Sequence, residues 1–283
     1  MALGILTNVA ATYAENNLNQ TQGSLQSVLQ QLSSGSRINS GADDAAGLSV
    51  ADGLHANEAA LTQSAQNAQN GVGLLQTADG ALSQVTNLLD RAVTLATEAA
   101  NGGLTAAQST AADTEFQSIL KEIGNIGSST NFNSTNVFSA TATNFIVSDG
   151  TAAGTTTIAA TTGALTTASV GTATGGGAGI DLSAQVLTST GAATTALSKI
   201  TDAIADVASQ RGAIGANINQ LSAAANVASS EEVNLSSAES NIRSTNYGQA
   251  TSDLAKYQVL SQTGISALAQ ANSVQQEILK LLQ

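Results

Sequence analysis

The chain is 283 residues long with no cysteine, proline or tryptophan, and 42% of it is apolar although only 2% is aromatic. Eight basic residues against 20 acidic ones leave a formal charge of −12, which excludes a phosphate-neutralising surface and so argues against nucleic acid as a partner. The missing cysteine rules out disulfides and thiolate metal sites, and the missing proline, where average usage would give about fourteen, favours long unbroken helices.

From the start of the chain, Leu18, Leu25 and Leu32 stand seven apart with Val28 and Leu29 beside them, which predicts a terminal helix carrying one apolar stripe. The first twenty residues hold no Lys or Arg and include Glu15, unlike a cleaved secretory signal. No apolar run approaches the roughly 18 residues of a membrane span, so no membrane insertion is expected. Asp43 and Asp44 precede Ala45 and Ala46, where carboxylates suit the positive end of a helix dipole.

A long seam follows. Leu61, Ala68, Leu75, Leu82, Leu89 and Ala96 are seven apart, and Ala65, Val72 and Val93 fill the position four residues further on, with Asp79 and Thr86 as polar interruptions. At 1.5 Å per residue the stripe is about 54 Å long. Phe116, Ile119, Leu120 and Ile123 predict a shorter third helix.

Between Ser139 and Asp181 the chain becomes rich in Thr, Ala and Gly, with β-leaning runs at Asn144-Phe-Ile-Val and Thr155-Thr-Thr-Ile. Two readings stand for this stretch: a small β-hairpin region and a low-complexity linker. A second seam then runs through Ile200, Val207, Ile214, Leu221, Ala228, Leu235 and Ile242. Its offset position holds Leu197, Ile204, Ile218 and Ala225, and is polar at Arg211, Glu232 and Glu239. The last stripe is Leu254, Tyr257 and Leu260, then Leu268, Ala271, Val274, Ile278 and Leu282.

The two seams are natural antiparallel partners. The terminal stripes have no core to cover them except each other or a neighbouring copy. The expected fold is therefore mainly α: a long antiparallel helical bundle or coiled coil with a small central β-hairpin region. Its domains are discontinuous, each built from both chain ends. The expected division is 1–40 with 246–283 as terminal helices, 41–138 with 182–245 as a helical core layer, and 139–181 as the β region.

Chemistry is sparse. His55, the only histidine, shares a helix face with Asp52 and Glu58, but one histidine without cysteine makes a zinc site hard to complete, and a solvated polar face is the reading. The Gly-rich stretch from Gly171 to Gly179 lacks the Lys-Ser/Thr of a phosphate cradle. No catalytic constellation emerges, so neither an enzyme nor a cofactor is expected.

Several words carry a resemblance. Leu32-Ser-Ser-Gly-Ser-Arg-Ile-Asn-Ser-Gly-Ala-Asp-Asp-Ala-Ala-Gly47, Asn67-Ala-Gln-Asn-Gly71, Gln76-Thr-Ala-Asp-Gly-Ala-Leu82 and Thr130-Asn-Phe-Asn-Ser-Thr-Asn-Val-Phe138 resemble the N-terminal signature of bacterial flagellin. Ala238-Glu-Ser-Asn-Ile-Arg-Ser-Thr-Asn-Tyr247 and Leu268-Ala-Gln-Ala-Asn272 resemble its C-terminal signature. Nearly everything outside 139–181 is covered, and the middle is too short for large outer domains.

The resemblance implies a homo-polymer of many copies forming the extracellular filament of the bacterial flagellum for swimming motility. It implies secretion by type III export without a cleaved signal. Export apparatus, chaperone, cap and hook-junction proteins would be partners. Leu18, Leu25, Leu32, Leu254, Leu260, Leu268, Ile278 and Leu282 would mediate assembly of the inner helices. Terminal helices that cannot bury their stripes alone should be disordered in the monomer, over 1–40 and 246–283, and order on polymerisation.

In some family members an outer helix is recognised by Toll-like receptor 5. The matching positions here are Arg91, Leu95 and Glu115, with Thr94 where the family has Glu; ordinary surface residues of a seam helix are the other reading. The rival identities are a hook–filament junction protein, with flagellin-like termini that cap instead of polymerising, and a secreted membrane-active helical protein, whose basic face is missing.

Overall fold

A computed structural model of the chain describes residues 8–149, 156–173 and 177–281. Among them are five helices: α1 (Val9–Ser34), α2 (Ala45–Ala100), α3 (Ala106–Ser129), α4 (Thr190–Arg243) and α5 (Tyr247–Leu281). Six short strands lie between α3 and α4 as three separate antiparallel pairs: β1 (Asn131–Phe132) with β2 (Thr135–Asn136), β3 (Thr143–Ile146) with β4 (Thr157–Ala160), and β5 (Val170–Ala173) with β6 (Gly177–Ile180). The chain is mainly α, as its heptads predict. It divides into two compact units, one of Met1–Ala56 with Asn234–Gln283 and the other of Asn57–Val233.

In the Asn57–Val233 unit the leucine seams lie inside. Leu61, Leu75, Leu82 and Leu89 are buried on α2, and Ile200, Val207, Ile214 and Leu221 on α4. The third helix packs Phe116, Ile119, Leu120 and Ile123 into the same core. Contacts fix the direction of the pairing. Leu221 would meet a Cβ placed on Gly71, Arg211 reaches Asp79, and Thr190 lies nearest a Cβ on Gly102. As numbers rise along α2 they fall along α4, so the two run antiparallel.

The flank of the α2 seam differs from expectation. The sequence reading placed it four residues on, at Ala65, Val72 and Val93. Ala65 is buried, but Val72 and Val93 are only half-buried. The continuous buried flank lies three residues on, at Ser64, Gly71, Ala78, Val85, Ala92 and Ala99. Ala196, Ala203 and Gln210 do the same on α4. Small side chains there let neighbours come close, since a Cβ on Gly71 would sit 2.9 Å from Leu221 Cδ1 and 3.1 Å from the Phe145 ring. Larger residues four positions on half-cover the rim.

Two of the polar interruptions, Arg211 and Asp79, satisfy each other. Arg211 Nε donates to Asp79 Oδ1 at 2.7 Å, and its Nη2 to Oδ2 at 3.3 Å. This hydrogen bond and the attraction behind it raise the already high Arg211 pKa.

The β-hairpin reading of 139–181 holds at Asn144 and Ile158, where β3 and β4 pair Phe145 with Ile158. The word from Thr130 to Phe138 is itself a hairpin. Asn133 (φ 50°) and Ser134 (φ 62°) sit between paired Phe132 and Thr135, the signature of a two-residue primed turn. The strands lie close against the helices. A Cβ on Gly127 of α3 would collide with the Leu165 carbonyl oxygen, and one on Gly171 (φ +77°) would meet Val207 N at 2.7 Å. Buried Gln210 donates to the Thr162 carbonyl, and the Thr162 hydroxyl donates to that of Val137, tying α4 to the strand connections.

Candidate assembly surface

In the unit formed by the two chain ends, α1 opens on Asn8, whose side chain accepts from Ala11 N at 3.0 Å and donates to the Ala271 carbonyl at 3.0 Å. It ends on Gly35 at φ 71°, the left-handed cap that glycine adopts without strain. Leu18 packs where a Cβ on Gly264 would lie 3.2 Å away, and the Tyr247 hydroxyl lies 3.0 Å from a Cβ on Gly35. Position 8 meets 271, 18 meets 264 and 35 meets 247, so α1 and α5 form an antiparallel pair.

The pair covers itself poorly. On α1 only Val28 is buried, and on α5, among the described residues, only Ala250. Leu18, Leu25, Leu32, Leu254 and Leu268 lie along the shared face yet remain half-exposed. Leu260 points off that face at 43% exposure, with Val259 at 65% and Ile265 at 50% nearby. Leu29, Tyr13 and Val274 are exposed as well. Leu282 lies outside the described residues, as does the Ile278 side chain. Two helices alone offer each residue one neighbouring surface, whereas the α2 seam is walled on several sides and reaches full burial.

The Leu32–Gly47 word has a local physical meaning. Asp43 Oδ2 accepts from Asn39 N, Ser40 N and Ser40 Oγ at 2.8–3.0 Å, closing the loop, and these bonds hold its carboxyl below the usual range. Asp44 caps α2, its Oδ1 accepting from Gly47 N at 2.8 Å. The expected pair of dipole-facing carboxylates is thus one loop-closer and one cap. Gly47 leaves room for Asp44 and for Ile38, which is buried.

The connection entering α2 is tied to the one leaving α4. Ser36 and Ser244 form a β-bridge. Arg37 N donates to Arg243 O at 2.7 Å, Thr245 N to Gly35 O at 3.0 Å, and the Arg37 guanidinium to Ile242 O at 3.0 Å. Alongside, Arg243 pairs with Glu239 at 3.0 Å and reaches Asp52 at 3.9 Å, while exposed His55 stands 3.6 Å from Glu239. His55 and Asp52 therefore meet α4 partners in a polar interhelical contact. Sequence reading missed this tie, because most of its bonds are between backbone groups that carry no side-chain signal.

In the other unit, Arg91 Nε donates to Glu115 Oε1 at 2.7 Å on an exposed face, joining α2 to α3. That bond, helped by the charge attraction, lowers the Glu115 pKa and raises that of Arg91. Leu95 is 3% exposed and belongs to the core. Among the described residues, no helix is long and apolar enough to cross a membrane.

The pattern of the bacterial flagellin N-terminal helical region matches residues 5–143, and that of the bacterial flagellin C-terminal helical region matches 197–282. Flagellin FlaB2 of Treponema pallidum is 33% identical over 97% of this chain and 98% of its own length. The flagellin of Listeria innocua is 29% identical over 98% of both chains. Flagellin 1 of Proteus mirabilis is 39% identical over 53% of this chain, which spans 41% of that protein. The gap between the two matched regions, 144–196, holds the β3–β6 hairpins apart from Thr143, the first residue of β3.

Proposed function

The chain belongs to the bacterial flagellin family, and on that premise we propose that it is a structural subunit polymerising with its own copies into the extracellular filament of the flagellum. It is a short form, with hairpins where other members carry large outer domains. The half-covered α1–α5 pair carries the mechanism: apolar side chains left exposed in one subunit are buried when neighbouring copies pack against them. A contact that joins one patch to a different patch and does not close into a ring propagates as a helical filament.

In this reading residues 1–40 and 246–283 form the inner layer, 41–138 with 182–245 the layer around it, and 139–181 the outer hairpins. Leu18, Leu25, Leu32, Leu254, Leu260, Leu268, Ile278 and Leu282 mediate assembly. The subunit does no catalysis. It leaves the cell through the flagellar export apparatus, meets chaperone, cap and hook-junction proteins, and drives swimming. The junction-protein and membrane-active readings are set aside, the first by full-length similarity to filament proteins and the second by the scarcity of basic residues at the termini.

The exposed Arg91–Glu115 pair is the feature available to an innate receptor such as Toll-like receptor 5, with buried Leu95 supporting it from beneath. A reporter assay with Arg91→Ala decides: an unchanged response, or none from the parent, removes this part of the proposal.

Deleting 262–283 tests the main claim. The truncated chain should stay folded through its 57–233 core yet form no filaments on seeding, and filaments seen by electron microscopy would refute it. Hydrogen exchange on dilute monomer should find 8–34 and 247–281 poorly protected, since so few of their side chains are buried.

A further inference from the structure

We propose that Asn101 is a site of spontaneous covalent ageing, converting through a cyclic imide to aspartate and isoaspartate, while the fold protects Asn70 from the same reaction. Asn-Gly occurs twice in the chain, at 70–71 and 101–102. Glycine favours the reaction because it has no Cβ to hinder its own amide nitrogen as nucleophile. The two dipeptides are chemically alike, so their surroundings decide.

Asn101 follows the last residue of α2, and it, Gly102 and Gly103 are all exposed. Its own N–H closes the final turn through a long 3.3 Å bond to the Glu98 carbonyl. Among the described residues its side-chain amide makes no hydrogen bond and the Gly102 N–H donates none. Gly102 is already at φ +68°, nothing stands closer to its Cβ position than Thr190 Oγ1 at 3.8 Å, and nothing lies within 4 Å of that of Gly103. The loop has room to bring Gly102 N onto Asn101 Cγ.

Asn70 lies in the middle of α2. The Gly71 N–H belongs to the helical hydrogen-bond ladder, and helical side chains lean toward the N-terminus, away from the following amide. Gly71 is also buried against Leu221 and Phe145. Attack there requires the helix to open.

The chemistry needs only water. The Gly102 amide nitrogen gives its proton to solvent base and bonds to Asn101 Cγ; the Cγ–Nδ2 bond breaks and ammonia leaves. Water then opens the five-membered imide at either carbonyl, yielding aspartate or isoaspartate with no change of oxidation state. The product places a new carboxylate at the negative end of the α2 dipole, one turn from Glu98, and isoaspartate lengthens the backbone by one methylene.

The test incubates the full-length native protein at mildly alkaline pH in heavy-oxygen water. Trypsin then separates the two sites, Asn70 falling on 38–91 and Asn101 on 92–121. Mass spectrometry should find the 92–121 peptide acquiring heavy oxygen and splitting into two isomers. In native protein it should convert at least about tenfold faster than 38–91, and denaturant should close the gap by releasing Asn70. Asn101→Gln should abolish conversion in its peptide and Gly102→Ala should slow it. Equal native rates, or an Asn101 that reacts only in denaturant, would overturn the proposal.

Discussion

Consider two alanine substitutions of the same chemical size, Leu260→Ala on α5 and Leu82→Ala on α2. Leu82 is fully enclosed. Its truncation removes transfer free energy and leaves a cavity, at about 2–5 kcal/mol by comparison with other buried leucines. For a unit of this size that lowers the melting temperature by roughly 4–20 °C. Leu260 keeps 43% of its surface in water. Completing a burial worth about 1.5–3 kcal/mol in all leaves about 1 kcal/mol to be gained when a neighbouring copy covers it. Removing the side chain should therefore leave the melting of the 57–233 core in place and raise the critical concentration for seeded polymerisation about fivefold. Calorimetry of the monomer and sedimentation of seeded polymer supply the two readouts. If Leu260→Ala polymerises as the parent does, or if it melts like Leu82→Ala, the division of labour between the stripes is wrong.

Gly127→Ala should destabilise the 57–233 core by more than about 2 kcal/mol in denaturant titration, because its Cβ would strike the Leu165 backbone oxygen. A double-mutant cycle on Asp79 and Arg211 should return a coupling of only about 0.5–1 kcal/mol that shrinks with salt, since both partners are more than one-third exposed. Glu115 should titrate below an ordinary glutamate by carbon NMR and return toward normal in Arg91→Ala. Because its folded pKa is lowered, whatever stability the pair adds is present above the unfolded carboxyl value and disappears as pH falls through the folded one.

The leucine spacing exposed both seams and the third helix to simple reading, because Leu, Ile and Phe recur at intervals that only a helix presents on one side. The buried flank at Ser64, Gly71, Ala78 and Ala92 escaped it. Such residues carry little hydrophobic signal, and their value lies in what they allow to approach. Asp79 and Arg211 each looked like a flaw in a seam. Their partnership depends on the antiparallel register of segments over 130 residues apart, which no local pattern encodes. Leu95 stood out through the flagellin resemblance as a surface contact, whereas the structure buries it in the core beside the flank that the sequence reading missed. The β5–β6 pair was hidden because Gly171, which permits its close approach to α4, belongs to the glycine-rich stretch that suggests a linker. On α1 and α5, periodicity marked apolar stripes on two helices that pair with each other. It could not say that Leu254 and Leu268 face α1 while Leu260 turns away, since that needs the α1–α5 register.

The paired crossings at Ser36 and Ser244 bear on how a subunit carries load. The chain passes from a terminal helix to its long neighbour twice, once outward and once back, and the two passages are clamped side by side. Tension is shared between two covalent strands in parallel. Sliding one past the other must rupture the bridging bonds together, where peeling would break them singly. The unit built from the two chain ends thus resists shear where its helices connect, and its stiffness there should drop sharply if the backbone at either serine were cut.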